Sequence, residues 1–174
     1  SKTRRIGIKE MFSVGRINID ENNFPDTRKI SFQIAPRINA AGRMDHANMA
    51  FNLIREKDQA RGRELALEIE ASNQKRQKMT SQITDEIKIL AENSFKDKKL
   101  IFAVNEHFPI GIVGLVAGKI SDIYNKPAAV IQKGEEESKG SFRSIPRLNI
   151  IEAIEKCSHL LIKFGGHSQA AGIS

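Results

Sequence analysis

From Asp58 to Asn93 the chain has no proline and a single glycine, Gly62. Nothing in this stretch stops a helix, and Leu65, Ile69, Met79, Ile83, Ile87 and Leu90 fall near one helical stripe. The pattern predicts a helix of about 50 Å, at roughly 1.5 Å per residue. In its middle, Ala71-Ser-Asn-Gln-Lys-Arg-Gln-Lys interrupts the stripe with polar side chains. A helix apolar at both ends and polar all round its middle is the pattern of a strut joining two bodies. Weak helix propensity at Ser72-Asn73 leaves open two helices hinged there.

The helix divides the chain into residues 1–57, 58–93 and 94–174. In the first segment, Ile17-Asn-Ile-Asp alternates as a strand does, and Asn22-Asn-Phe-Pro-Asp is turn chemistry. Arg28 to Pro36 reads as a second strand with Ile30, Phe32 and Ile34 on one face, ended by Pro36. Ala47, Ala50, Phe51 and Ile54 follow helical spacing, with Asp45 as the expected N-cap. The third segment alternates: a buried strand at Lys99–Val104, a helix over Gly111–Tyr124 with small Gly114, Ala117 and Gly118, and a strand at Pro127–Ile131. A further strand follows at Ser141–Ile145, then a helix capped by Asn149 and running through Ile154, and the start of a strand at Ala170–Ser174. The order β, α, β, β, α, β indicates an α/β domain.

Composition excludes several classes. Hydrophobic residues make up 40% and charged residues 28% of 174 residues, which fits neither a disordered tail nor a fibre. The most apolar run, Ile110–Ile120, is too short to span a bilayer and holds a lysine, so no membrane is expected. One cysteine, Cys157, read as a small core residue, excludes a disulfide framework and points to a reducing, cytoplasmic setting. Lys and Arg total 28 against 21 Asp and Glu, a net charge of +7 that favours polyanionic partners. With no Trp and one Tyr, an aromatic platform that stacks many bases is not expected, and the nine Phe read mostly as core.

Three places carry candidate chemistry. Pro36-Arg-Ile-Asn-Ala-Ala-Gly-Arg43, read as a loop entering a helix, sets Arg37 and Arg43 around small residues and Asn39. Small residues permit close backbone approach and arginine forks suit phosphate oxygens, although an ordinary loop fits equally well. Ser141 and Arg143 share one face of a strand, with Phe142 opposite and Ser144 next. A hydroxyl beside a guanidinium suits a terminal phosphate; an edge strand with a polar outer face is the alternative. In Phe164-Gly-Gly-His167, Gly165 and Gly166 can turn N–H groups toward an anion and His167 can donate to it, against the commoner reading of a simple turn. No histidine spacing or Asp/His cluster offers three metal ligands.

Together, Pro36–Arg43, Gly111-Ile-Val-Gly-Leu-Val-Ala, Gly140-Ser-Phe-Arg-Ser-Ile-Pro and Phe164-Gly-Gly-His-Ser-Gln-Ala-Ala-Gly resemble the RecJ family in order and spacing. These are single-strand-specific 5′-to-3′ DNA exonucleases of the DHH phosphoesterase superfamily. The resemblance implies the end of a DHH catalytic domain (1–57), a connecting helix (58–93) and a DHH-associated α/β domain with a mixed sheet (94–174), truncated at its C-terminus. It implies Mn or Mg ions in the parent enzyme, held by ligands outside this chain, so that no catalytic residue falls here. Single-stranded DNA is the implied substrate in repair and recombination, with single-strand-binding protein and helicase as partners. By the same resemblance Asn73, Arg76 and Gln77 face the strand, while Arg43, Ser141 and Arg143 hold its 5′-phosphate. Gly165, Gly166 and His167 contact the phosphate near the metals. His107 lies outside the family's aromatic-His-Pro-Gly pattern and takes no role. A phosphodiesterase for short oligonucleotides or cyclic dinucleotides, or a noncatalytic relative, are the alternatives.

Overall fold

The computed structural model describes residues 3–18, 25–44 and 46–174. The expected Asp45 cap lies outside them, as do Ile19 and Asp20 of the first expected strand and Asn22, Asn23 and Phe24 of the turn. The chain forms two compact units, Ser1–Lys78 and Met79–Ser174.

In the first unit, helix α1 spans Ile6–Val14, α2 Thr27–Lys29, α3 Ala35–Met44 and α4 Asn48–Arg55, with a π-helical stretch at Ile30–Ile34 between α2 and α3. The strand expected over Arg28–Pro36 is therefore wrong. That stretch is helical, started by Asp26, whose carboxylate accepts the Lys29 N–H at 2.6 Å. The alternation of Ile30, Phe32 and Ile34 misled because a strand needs one face to bury, whereas Ile30 and Phe32 stay 46% and 76% exposed. Pro36 ends nothing either. An interior proline lacks an N–H and crowds the preceding turn, and here that turn is widened, the Ala35 N–H reaching back to the Ile30 carbonyl. Pro36–Arg43 accordingly lies on a helix instead of a loop.

Met11, Ala41, Leu53, Leu65, Ala66 and Ile69 pack into the core of this unit. Gly7 allows α1 to cross α4, because a Cβ there would fall 1.8 Å from the Leu53 carbonyl oxygen. Helix α5 runs unbroken over Gln59–Ser94, through Ser72-Asn73, from an Asp58 carboxylate that accepts the Arg61 N–H at 2.8 Å. Its polar middle is not exposed all round, since Asn73 and Thr80 are buried in line with Ile69 and Ile83.

The second unit carries, among the described residues, a five-stranded sheet in the order β1-β2-β3-β5-β4. The strands are β1 Ile101–Asn105, β2 Ala128–Gln132, β3 Lys139–Arg143, β4 Phe164–His167 and β5 Ala170–Ile173. Strands β1 and β2 are parallel, joined through helix α6 (Ile110–Tyr124), and the remaining pairs are antiparallel. The α/β class with a long helix and a mixed sheet is as expected. Helix α6 lies over β2 and β3, while the short α7 (Ile150–Glu155) lies along β4 and β5. Phe142, Ala129 and Ala171 pack with Ile150 and Ile154 of α7.

Two smaller readings are corrected. Only alternate residues of β1 are buried, leaving Phe102 and Val104 40% and 42% exposed. Phe32, Phe51 and Phe164 are also at the surface, and Cys157, just past the end of α7, is exposed instead of core.

Candidate nucleic-acid interface

Strand β3 is the middle strand of the sheet, so Ser141 and Arg143 do not sit on an edge. Phe142 between them is buried toward α7, which fixes the other two side chains on the α6 side. There α6 presents glycine. A Cβ on Gly114 would lie 3.2 Å from both the Arg143 Nη2 and the Ser141 Oγ. The Arg143 Nη1 donates to the Ser141 hydroxyl at 2.8 Å and to the Phe142 carbonyl at 2.9 Å, and the Ser141 hydroxyl reaches the Ala171 carbonyl at 3.4 Å. The guanidinium is thus held flat along the strand before any ligand arrives.

Pairing through β5 brings the Gly-Gly-His motif alongside. Arg143 pairs with Ala170, which pairs with His167, and Ser141 pairs with Gly172, which pairs with Gly165. Residues directly opposite each other share a face. Ser141, Arg143, Gly165 and His167 therefore line one face, with only Ala170 and Gly172 between them. Phe164–His167 is neither nest nor turn but the extended edge strand β4, and its glycines do different things. Gly165 is open, with nothing within 4 Å of where a Cβ would stand, whereas a Cβ on Gly166 would meet the Ala170 carbonyl oxygen at 2.2 Å. His167 is exposed, its Nδ1 accepting the Gln169 N–H at 3.3 Å. Ser144 turns away, donating its hydroxyl to the Leu148 carbonyl at 2.8 Å.

The first unit holds the other candidates. The Arg37 guanidinium is engaged on every side: Nε meets Glu70 at 2.6 Å, Nη1 the Gln33 carbonyl at 2.6 Å and Nη2 the Gly15 carbonyl at 3.3 Å. With both side chains largely buried (14% and 16% exposed), Arg37 pins α3 to α5. Arg37→Ala is expected to destabilise this unit by about 1–3 kcal/mol, the cost of a largely buried carboxylate losing its partner. A lowered urea midpoint in the variant would bear this out.

Arg43 and Arg76 are neighbours. Burial, and secondarily the charge of Arg43, lower the affinity of the Arg76 guanidinium for its proton from the ordinary value. Buried Asn73 orients Arg76, its Oδ1 accepting from Nη2 at 3.0 Å. Two guanidinium groups so placed favour an anion between them. Asn39 on α3 and Gln77 on α5 are exposed.

Among the described residues no group of three or more His, Cys, Asp or Glu could hold a metal ion. Nor, among the described residues, is any helix long and apolar enough to cross a membrane.

Residues 97–174 match the family described as the DHHA1 domain. Over 99% of its length the chain is 38% identical to the single-stranded-DNA-specific exonuclease RecJ of Bacillus subtilis, covering 22% of that protein. It is 33% identical over 98% of its length to the RecJ of Haemophilus influenzae, covering 31%. The crystal structure of RecJ from Thermus thermophilus in complex with Mg2+ matches with a TM-score of 0.85 at 26% identity, over 99% of this chain and 26% of that one. RecJ from the same organism in complex with Mn2+ matches with a TM-score of 0.84. The chain thus spans about a fifth to a third of the length of these RecJ relatives. All of β1 to β5, and with them the shared face of Ser141, Arg143, Gly165 and His167, fall within the matched residues 97–174.

Sequence spacing does not show that Gly172, on the intervening strand β5, is the open link between Ser141 and Gly165. Only strand register reveals it. The small residue at alternate positions in Ala170-Ala-Gly172 was the available signal.

Proposed function

We propose that this chain is part of a RecJ-like, single-strand-specific 5′-to-3′ DNA exonuclease of the cytoplasm, serving DNA repair and recombination. Residues 1–57 end its DHH catalytic domain, 58–93 form the connecting helix and 94–174 the DHHA1 domain. Arg143 and Ser141 bind the 5′-terminal phosphate, with Gly165 and His167 along the same face against the next part of the strand. Arg43 and Arg76, with Asn39, Asn73 and Gln77 about them, draw the backbone phosphates. Ser144 and Gly166 shape the face from behind, and Arg37 supports α3. In the whole enzyme, Mn or Mg ions would supply activation of the water and stabilisation of the leaving oxygen. On this reading the ligands for them lie elsewhere in the parent, and this chain binds without cleaving. Single-strand-binding protein and helicases are the partners such an enzyme works beside.

The observation that carries this reading is the cross-strand register that sets a hydroxyl, a guanidinium, a bare glycine and an imidazole on one face. The test compares oligodeoxynucleotides of about twelve nucleotides with a dinucleotide, each with and without a 5′-phosphate. The full-length enzyme is expected to degrade the longer phosphorylated strand in preference to all the others. The chain alone is expected to bind it weakly and release no nucleotides. Metal-dependent cleavage by the purified chain, or equal use of the dinucleotide, would overturn the proposal.

A further inference from the structure

The face that bears Ser141 and Arg143 continues past them. Lys139 lies two residues before Ser141 on β3 and so points to the same side. Lys163 lies two residues before Gly165, and its backbone exchanges hydrogen bonds with Ser174 at 2.8 and 3.1 Å, extending the β4–β5 ladder by one pair. The register therefore forms another cross-strand row, Lys139–Ser174–Lys163, beyond the row Ser141–Gly172–Gly165. Ile110, at the start of α6, joins these residues around a groove of about 400 Å³ whose floor includes Gly165 and Gly172.

One anion already rests on this row. The Glu137 carboxylate lies 3.2 Å from the Lys139 Nζ. Ser174 and Lys139 hold the Glu137 carboxyl below the usual carboxylate range, and Lys163 adds a weaker pull. Glu137 belongs to the charged segment Lys133–Gly140, where Glu135 and Glu136 are exposed.

We propose that Lys139, Ser174 and Lys163 form a second phosphate subsite for the single strand, occupied in the free protein by the Glu137 carboxylate, which an incoming phosphate displaces. This rests on the nucleic-acid reading above and deepens it. Oxygens of a phosphodiester suit the two ammonium groups and the hydroxyl as a carboxylate does, with more acceptor positions. The glycine floor lets the sugar and base lie close to the backbone. Glu137 keeps the two lysines compensated until a strand arrives, so weak anions are rejected.

The double variant Lys139→Gln/Lys163→Gln of the full-length enzyme tests this with a 5′-phosphorylated oligodeoxynucleotide of about twelve nucleotides. Binding is expected to weaken roughly threefold to tenfold at low salt, and the slope of log K against log salt to fall by about 0.7 for the phosphate lost. The ratio of 5′-phosphate to 5′-hydroxyl binding should stay as in the parent. Glu137→Gln, which removes no cation, is expected to tighten binding roughly twofold to fivefold and so tests the subsite even if the double variant folds poorly. An unaltered slope and an unaltered Glu137→Gln affinity, with the 5′-phosphate preference intact, would overturn the subsite while leaving the exonuclease reading in place. Loss of that preference from the parent enzyme itself would instead strike the reading on which the subsite rests.

Discussion

Replacing Arg143 by alanine in the full-length enzyme is expected to reduce its preference for a 5′-phosphorylated over a 5′-hydroxyl strand by roughly 10- to 100-fold. That range corresponds to the roughly 1.5–3 kcal/mol of hydrogen bonds between charged partners. The effect should be large because the guanidinium is held in place beforehand by Ser141 and the Phe142 carbonyl, and little ordering remains to oppose binding. The fold should tolerate the change, since the β3 backbone stays paired on both sides with β2 and β5. Arg143→Lys should recover only part of the preference, because a point charge cannot bond the hydroxyl and two phosphate oxygens together. Initial rates of nucleotide release from the two strands give the ratio directly. An unchanged ratio in the alanine variant would remove Arg143 from phosphate recognition.

The second large effect is expected at Gly166, and it is structural. An added Cβ would lie 2.2 Å from the Ala170 carbonyl oxygen and 2.5 Å from the Ala171 Cα, at a φ of +158° that side chains rarely adopt. Those atoms are backbone of the paired strand β5, so relief requires opening the β4–β5 hairpin. Gly166→Ala should destabilise the second unit by about 2–4 kcal/mol. Urea denaturation should show a lowered midpoint, and the amides of Phe164–His167 should exchange faster with solvent. Gly165→Ala is the contrasting case. With nothing within 4 Å of its Cβ, it should leave the midpoint within about 0.5 kcal/mol of the parent while obstructing the shared face and weakening strand binding. Equal destabilisation by both substitutions would contradict the division of roles between these glycines.

Much of the second unit is legible in the sequence because its signals are local. The strand signals at Ile101 and Ala128, the small residues of α6 and the Ser141–Phe142–Arg143 alternation each report a period that one neighbouring layer imposes. Strand β1, however, buries only every other residue where a buried run is expected. The first unit is less legible. Ile30, Phe32 and Ile34 carry a period of two, yet they lie on a helix because Asp26 starts one and the wide turn accommodates Pro36. Propensity cannot foresee an extra residue absorbed in a turn. The site divides the same way. That Ser141 and Arg143 share a face follows from spacing, but their adjacency to Gly165 and His167 depends on β5 inserting between β3 and β4. Nothing in the order of residues says that the last strand lies inside the sheet and the one before it at the rim. Nor does the Pro36–Arg43 motif reveal that Arg37 is bound to Glu70 while Arg43 lies beside Arg76.

Between Arg143 and His167 stands one strand, bearing Ala170 at the matching position. Their separation is thus two interstrand steps, about 10 Å, a length set by amide hydrogen bonds and indifferent to rotamers. Side chains can soften or sharpen the grip at either end, but evolution cannot retune the interval itself by point substitution. A lineage needing a shorter or longer gauge between these two contacts would have to add or lose a whole strand, so the interval should be the most inherited dimension of the domain.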